Sequence, residues 1–128
     1  MRQNIPSGSY LEPIMGFSRA VRIGNHIAVA GTGPIGTDAT DTYGQLVRCF
    51  EITRAALAEA GATMQDVTRT RILLTDIADW EEAARAHGEI FRDIRPVITV
   101  MQVSAFVDPA WRVETEVDAI VGGDIASD

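Results

Sequence analysis

The chain has 128 residues and a mass of 13.8 kDa, enough for one domain and too few for two independent ones. Eighteen acidic residues against eleven basic ones leave a net charge of −7, so the molecular field repels phosphate backbones and anionic membranes, and neither nucleic acid nor a membrane is an expected partner. All eleven basic residues are arginine, which excludes lysine Schiff-base and pyridoxal-phosphate chemistry, and Cys49 stands alone, which excludes an internal disulfide or a cysteine-based metal cluster.

Residues 1–17 mix Pro, Gly and Ser with scattered apolar residues at neither period, which predicts an irregular lead-in over 1–14 or one short strand. From Ser18 the chain alternates through S-R-A-V-R-I, turns at Gly24-Asn25 and alternates again through H-I-A-V-A-G, the pattern of a β-hairpin. The stretch GTGPIGTDAT is a loop. Asp41 or Thr42 then caps a long helix, with Leu46, Cys49, Phe50, Thr53, Ala56, Leu57 and Ala60 at helical spacing and Gly61 as its stop. VTRTRILLTD reads as a strand. A second helix follows, with Asp79 as N-cap and Trp80, Ala83, Ala84, His87, Ile90 and Phe91 on its apolar side. Arg95-Pro96 breaks that pattern, VITVMQV is a strand, DPAW a turn and RVETEVDAIV a final strand, with a frayed tail over 122–128. Apolar stretches are interrupted well short of the ~18 residues of a membrane span, and no basic region precedes an apolar block at the N-terminus, so a cytoplasmic protein is expected.

This order describes a single α+β domain with two helices on one face of a mixed sheet. On the last strand Arg112, Glu114, Glu116 and Asp118 share one face, and on the preceding helix-flanked strand Arg69, Arg71 and Leu73 share one face. Both charged faces are expected on the side away from the helices, and a sheet left half uncovered in so short a chain predicts oligomerisation through that side.

Over residues 15 to 121 the sequence resembles the Rid proteins, also called the YjgF or RidA family. The resemblance is carried by FSRAVRIGNHIAVAGTGPIG, Gln45, AEAGATMQDVTRTRILLTDIADW, a helix ending at Phe91, Pro96 before a strand, and VETEVDAIV. It implies a six-stranded mixed sheet with two helices on one face and a homotrimer with three clefts between subunits. It also implies hydrolytic deamination of enamine or imine intermediates, such as 2-aminoacrylate, to a keto compound and ammonia, with no metal and no cofactor. The family pattern Pro-Ala-Arg-Ser, whose arginine grips the substrate carboxylate, falls on Pro96-Val97-Ile98-Thr99, so Ile98 occupies the arginine position. A water-positioning glutamate matches Glu116. A cleft-lining phenol matches Phe17, and Ser-Gly-Gln matches Ala30-Gly31-Thr32, leaving Thr32 as the hydroxyl.

Arg71 admits two readings: a guanidinium that replaces the missing arginine from a neighbouring strand, or an ion-pair partner of Glu114 or Glu116. His87 lies on the apolar side of its helix and reads as a core or interface residue, and His26, next to the hairpin turn, as solvent-facing. The spacing of the two histidines supports no metal site. GTGPIG lacks the G-K-[ST] ending of a phosphate loop, and Pro34 removes one of its N–H donors. Three functions follow: a Rid-type deaminase, a trimer that binds a small molecule without turnover, or an endoribonuclease, which the charge opposes.

Overall fold

The computed structural model describes residues 1–122. The hairpin forms as the alternation dictates, with β2 (Ala20–Ile23) and β3 (His26–Thr32) antiparallel and Ile23 registered with His26 across Gly24-Asn25. The lead-in takes the second of its two expected forms, one short strand: Arg2–Ile5 is β1, paired with β2 so that Arg2 faces Ile23, and Glu12–Met15 adds a short helix, α1. As an edge strand, β1 buries only Ile5, so it carries almost no alternation to read.

Helix α2 (Thr42–Glu59) starts at Asp41, whose carboxylate accepts from the Gly44 N–H, and gives way at Gly61 with a left-handed φ of 84°. Strand β4 (Val67–Leu74), helix α3 (Trp80–Phe91), β5 (Val97–Gln102) and β6 (Val113–Ile120) complete the chain. The N-terminus of α3 differs from expectation. Asp79 makes no capping bond, because its carboxylate accepts instead from Thr42 Oγ1 and Arg112, and Asp76 caps the 3-10 turn Ile77–Asp79 that leads into the helix. Trp80 and Ala84 are exposed, and Ala86 takes a core place in their stead. Residues 123–128 of the expected tail lie outside the described residues.

The strand order is β1-β2-β3-β6-β4-β5, antiparallel throughout except for β4 with β5. One face is helix-covered: Ile27 and Val29 from β3, Ile72 and Leu74 from β4, and Val113 and Val117 from β6 are buried with Leu46, Phe50 and Leu57 of α2 and Phe91 of α3. The other face carries no helix among the described residues. No described helix is long and apolar enough to cross a membrane.

His87 lies inside this core. Its ring sits 4.6 Å from Phe91 and 5.8 Å from Phe50, and Nε2 is hydrogen-bonded to Thr70 Oγ1 at 2.8 Å. Burial holds its pKa below the ordinary 6.5, because a charged imidazolium is poorly solvated there. With the folded pKa below the unfolded one, the neutral ring's stability is fully present above pH 6.5 and is lost as pH falls through the folded pKa. Urea melts of the wild type are expected to weaken below that pH by up to about 1.4 kcal/mol per pH unit. His87→Leu removes that share of the slope, and at neutral pH costs about 1–3 kcal/mol by leaving the Thr70 hydroxyl unpaired.

Candidate active site

Because side chains alternate along a strand, the residues that fill the core of β4 and β6 force their neighbours onto the uncovered face. Register places Arg71 opposite Glu116, Arg69 beside Asp118 and Leu73 opposite Glu114. Arg71 Nη1 lies 3.4 Å from Glu116 Oε1 and 3.9 Å from Asp118 Oδ2, and Arg69 Nε lies 3.6 Å from Asp118 Oδ2. The Arg71 and Glu116 side chains stay 36% and 43% exposed, so their charges remain available to solvent or a ligand.

Strand β3 borders Glu116 through an irregularity. Val29 pairs with Val117 and Thr32 with Thr115, so Ala30 and Gly31 together stand against Glu116 as a β-bulge. On the other side Thr99 of β5 registers with Arg71. A row therefore crosses the open face from the 30–31 bulge through Glu116 and Arg71 to Thr99. Glu114 flanks it, close enough to the bulge that a Cβ on Gly31 would lie 3.2 Å from Glu114 Oε1. Partial burial holds the Glu114 carboxyl above the ordinary range, opposed by the Arg19 charge and reinforced by Glu116.

The residues singled out from the sequence do not all meet. Arg71 and Glu116 do. Thr32 turns into the core, fully buried, where its hydroxyl donates to the Ala30 carbonyl and accepts from Arg19 Nη1. Ile98 registers with Thr70, whose hydroxyl meets His87 in the helix layer, so Ile98 lies on the face opposite Glu116 and is 46% exposed at the sheet edge. Phe17 precedes β2, half-buried, and β3 separates that strand from β6. Asp118, which the strand period places on this face, is a second partner of Arg71. Arg19 stands before a strand and carries no motif in the sequence; it is 8% exposed and holds the bulge through Gly31 O and Thr32 Oγ1.

Other groups have settled roles. The Cys49 thiol is buried and bonded to the Val113 carbonyl, and burial pushes its pKa far above the thiol range, so it is no thiolate nucleophile. Gln45 donates to the carbonyls of Ala39 and Ala110 and accepts from the Arg112 N–H, tying α2 to both loops at this end of the sheet. The Trp111 ring packs against Gly33, where any Cβ would fall 2.2 Å from it. Among the described residues no three His, Cys, Asp or Glu gather to hold a metal ion.

The sequence pattern of the family described as endoribonuclease L-PSP matches residues 7–121. The Streptomyces coelicolor protein SCO2049 is 37% identical over 124 residues, spanning 94% of this chain and 92% of the relative. A RutC family protein of Pyrococcus abyssi is 33% identical over 98 residues, spanning 73% of this chain and 77% of the relative. Rv2704 of Mycobacterium tuberculosis, a member of the YjgF/YER057c/UK114 family, is similar in structure with a TM-score of 0.89 at 42% identity, covering 94% of this chain and all of that one, 100%. The Escherichia coli YjgF gene product shares the fold, with a TM-score of 0.77, 20% identity, and coverage of 92% and 94% of the two chains.

Half-exposed ion pairs add little to stability, so Arg71→Ala and Glu116→Ala are each expected to change unfolding free energy by less than about 1 kcal/mol in denaturant titrations. Gly33→Ala is expected to cost more, about 1–3 kcal/mol, with a change in Trp111 fluorescence as the ring is pushed away.

Proposed function

The chain belongs to the YjgF/Rid family, described as endoribonuclease L-PSP, and on that premise we propose that it is a small-molecule hydrolase that deaminates enamine or imine intermediates without a cofactor. The observation that carries the reading is the row of Glu116, Arg71 and the 30–31 bulge on the uncovered sheet face. Glu116 orients a water. As the water oxygen bonds to the imine carbon, Glu116 takes one water proton and passes it to nitrogen, giving a carbinolamine; the remaining hydroxyl proton then moves through Glu116 to nitrogen as the C=O forms and the C–N bond breaks, releasing ammonia and the keto compound. Arg71 exchanges its contacts with Glu116 and Asp118 for the substrate's carboxylate, in place of the arginine that Ile98 lacks.

The working site is proposed to form between chains of a homotrimer. Ile98 and Glu116 lie on opposite faces within one chain, so a cleft using both positions needs a second copy to bring the β5 edge to the open face. Exposed Val97, Val100 and Met101 along β5 supply the apolar surface for that contact. Light scattering is expected to give three times the 13.8 kDa chain mass.

A second reading, binding without turnover, is favoured by Ile98 itself, since an isoleucine cannot hold a carboxylate. Endoribonuclease action is disfavoured by the net charge of −7 and by the three carboxylates, Glu114, Glu116 and Asp118, on this face.

Purified protein is expected to release ammonia from 2-aminoacrylate generated in situ by a dehydratase. Glu116→Ala should lower kcat by about 100-fold or more, and Arg71→Ala should raise KM for carboxylate-bearing imines. No rate above buffer for any imine overturns the hydrolase in favour of the binding protein. A gain in rate with Ile98→Arg would place that position in the same cleft.

A further inference from the structure

Arg19 is the one buried arginine among the described residues, and no carboxylate forms an ion pair with it there. Its Nη1 donates to Thr32 Oγ1 at 3.0 Å and to Gly31 O at 3.4 Å. The polar side-chain atoms sealed off without a partner are the hydroxyls of Thr53 and Thr115, not the remaining nitrogens of Arg19. Those nitrogens therefore keep an opening, and the space Arg19 lines is a cavity of about 300 Å³ between α2 and the lead-in. A buried cation is costly unless an anion meets it, and a guanidinium with free donors is shaped for a carboxylate.

The same cavity holds the opposite charge. Glu51 is paired with Arg48 at 3.3 Å, but the Glu59 carboxylate has no ion-pair or hydrogen-bond partner among the described residues. The lining also includes the apolar side chains of Ile35, Ile52 and Ala55, together with the paired Arg48 and Glu51. A small neutral molecule carrying its own anion and cation fits this arrangement better than an ion of either sign, and the volume is at the lower end of the range that small-ligand sites occupy. We propose that this cavity binds a free aliphatic α-amino acid, its carboxylate on Arg19, its ammonium on Glu59 and its side chain against Ile35, Ile52 and Ala55.

The site lies against α2, on the helix side, so it stays open when the uncovered sheet face is occupied, and it does not rest on the proposed deaminase activity. It still touches that region. Arg19 holds the 30–31 bulge that borders Glu116, so the residue that would hold the occupant also braces one end of the row on the open face.

L-Leucine titrated into the 15N-labelled full chain is expected to give saturable amide shifts at Ser7, Gly31, Thr32 and residues 52–59. Isocaproate, which lacks the ammonium, and 3-methylbutylamine, which lacks the carboxylate, should each bind at least about tenfold more weakly. Arg19→Gln and Glu59→Gln should weaken leucine binding by a similar factor. Ala55→Phe fills the cavity from the exposed side of α2 and should abolish the shifts, a test that stands even where Arg19→Gln unfolds the chain. Absence of saturable shifts in the wild type, shifts confined to the open sheet face, or full binding by Ala55→Phe would each overturn the site. Equal binding of isocaproate and leucine would overturn the amino-acid assignment.

Discussion

The pairing of β4 with β6 is the constraint on which both the core and the site depend. These two strands sit side by side inside the sheet, and their register sends Ile72, Leu74, Val113 and Val117 toward the helices while Arg69, Arg71, Glu114, Glu116 and Asp118 go to the other side. A slip of one residue would reverse every one of these side chains, burying arginines against Leu46 and Phe50 and exposing the isoleucine and valines. The apolar half of the alternation thus protects the polar half. Hydrophobic burial supplies the stability and fixes the register, and the register aligns Arg71 with Glu116 at little energetic cost to either.

Around this pair the chain's loops are held by polar side chains, not by packing alone. Gln45 satisfies carbonyls of two separate loops and the Arg112 N–H, and Asp79 joins Thr42 of α2 to Arg112. Both side chains come from helix termini or first turns, where backbone groups need outside partners in any case. Trp111 seals the same end by lying on Gly33, a contact that only a residue without a Cβ allows. The bulge opposite Glu116 is braced from the other direction by Arg19. Its guanidinium has a pKa lowered by burial and eased by the Glu114 charge, so the two half-hidden groups support each other through space without touching.

The arginines divide into two kinds. Arg69 and Arg71 are half-exposed and paired, so their charges are cheap to keep and free to move between partners. Arg19 is buried and, among the described residues, paired with no carboxylate, so its charge is costly to keep and its position fixed. With no lysine in the chain, every cationic task falls to a guanidinium, and the same group serves as an exchangeable contact on one side of the sheet and a brace on the other.

Much of this was legible in the sequence. Alternation in VTRTRILL and RVETEVDA determined that their charged residues share one face, because strand period is a local property of the backbone. Asp41, Gly61 and Gly24-Asn25 determined where helix and turn begin and end, because capping and left-handed φ are demands on single residues. The family resemblance likewise needed only residue order. Other features were decided by tertiary structure. Edge strand β1 exists only because β2 offers it free hydrogen-bonding groups, and Asp79 left its cap because Thr42 and Arg112, 37 and 33 residues away, compete for it. The opposite facing of Ile98 and Glu116, the inward turn of Thr32 and the burial of Arg19 all depend on which strands become neighbours and where β3 bulges. Strand pairing joins residues far apart in the chain, and no local pattern of side chains encodes it.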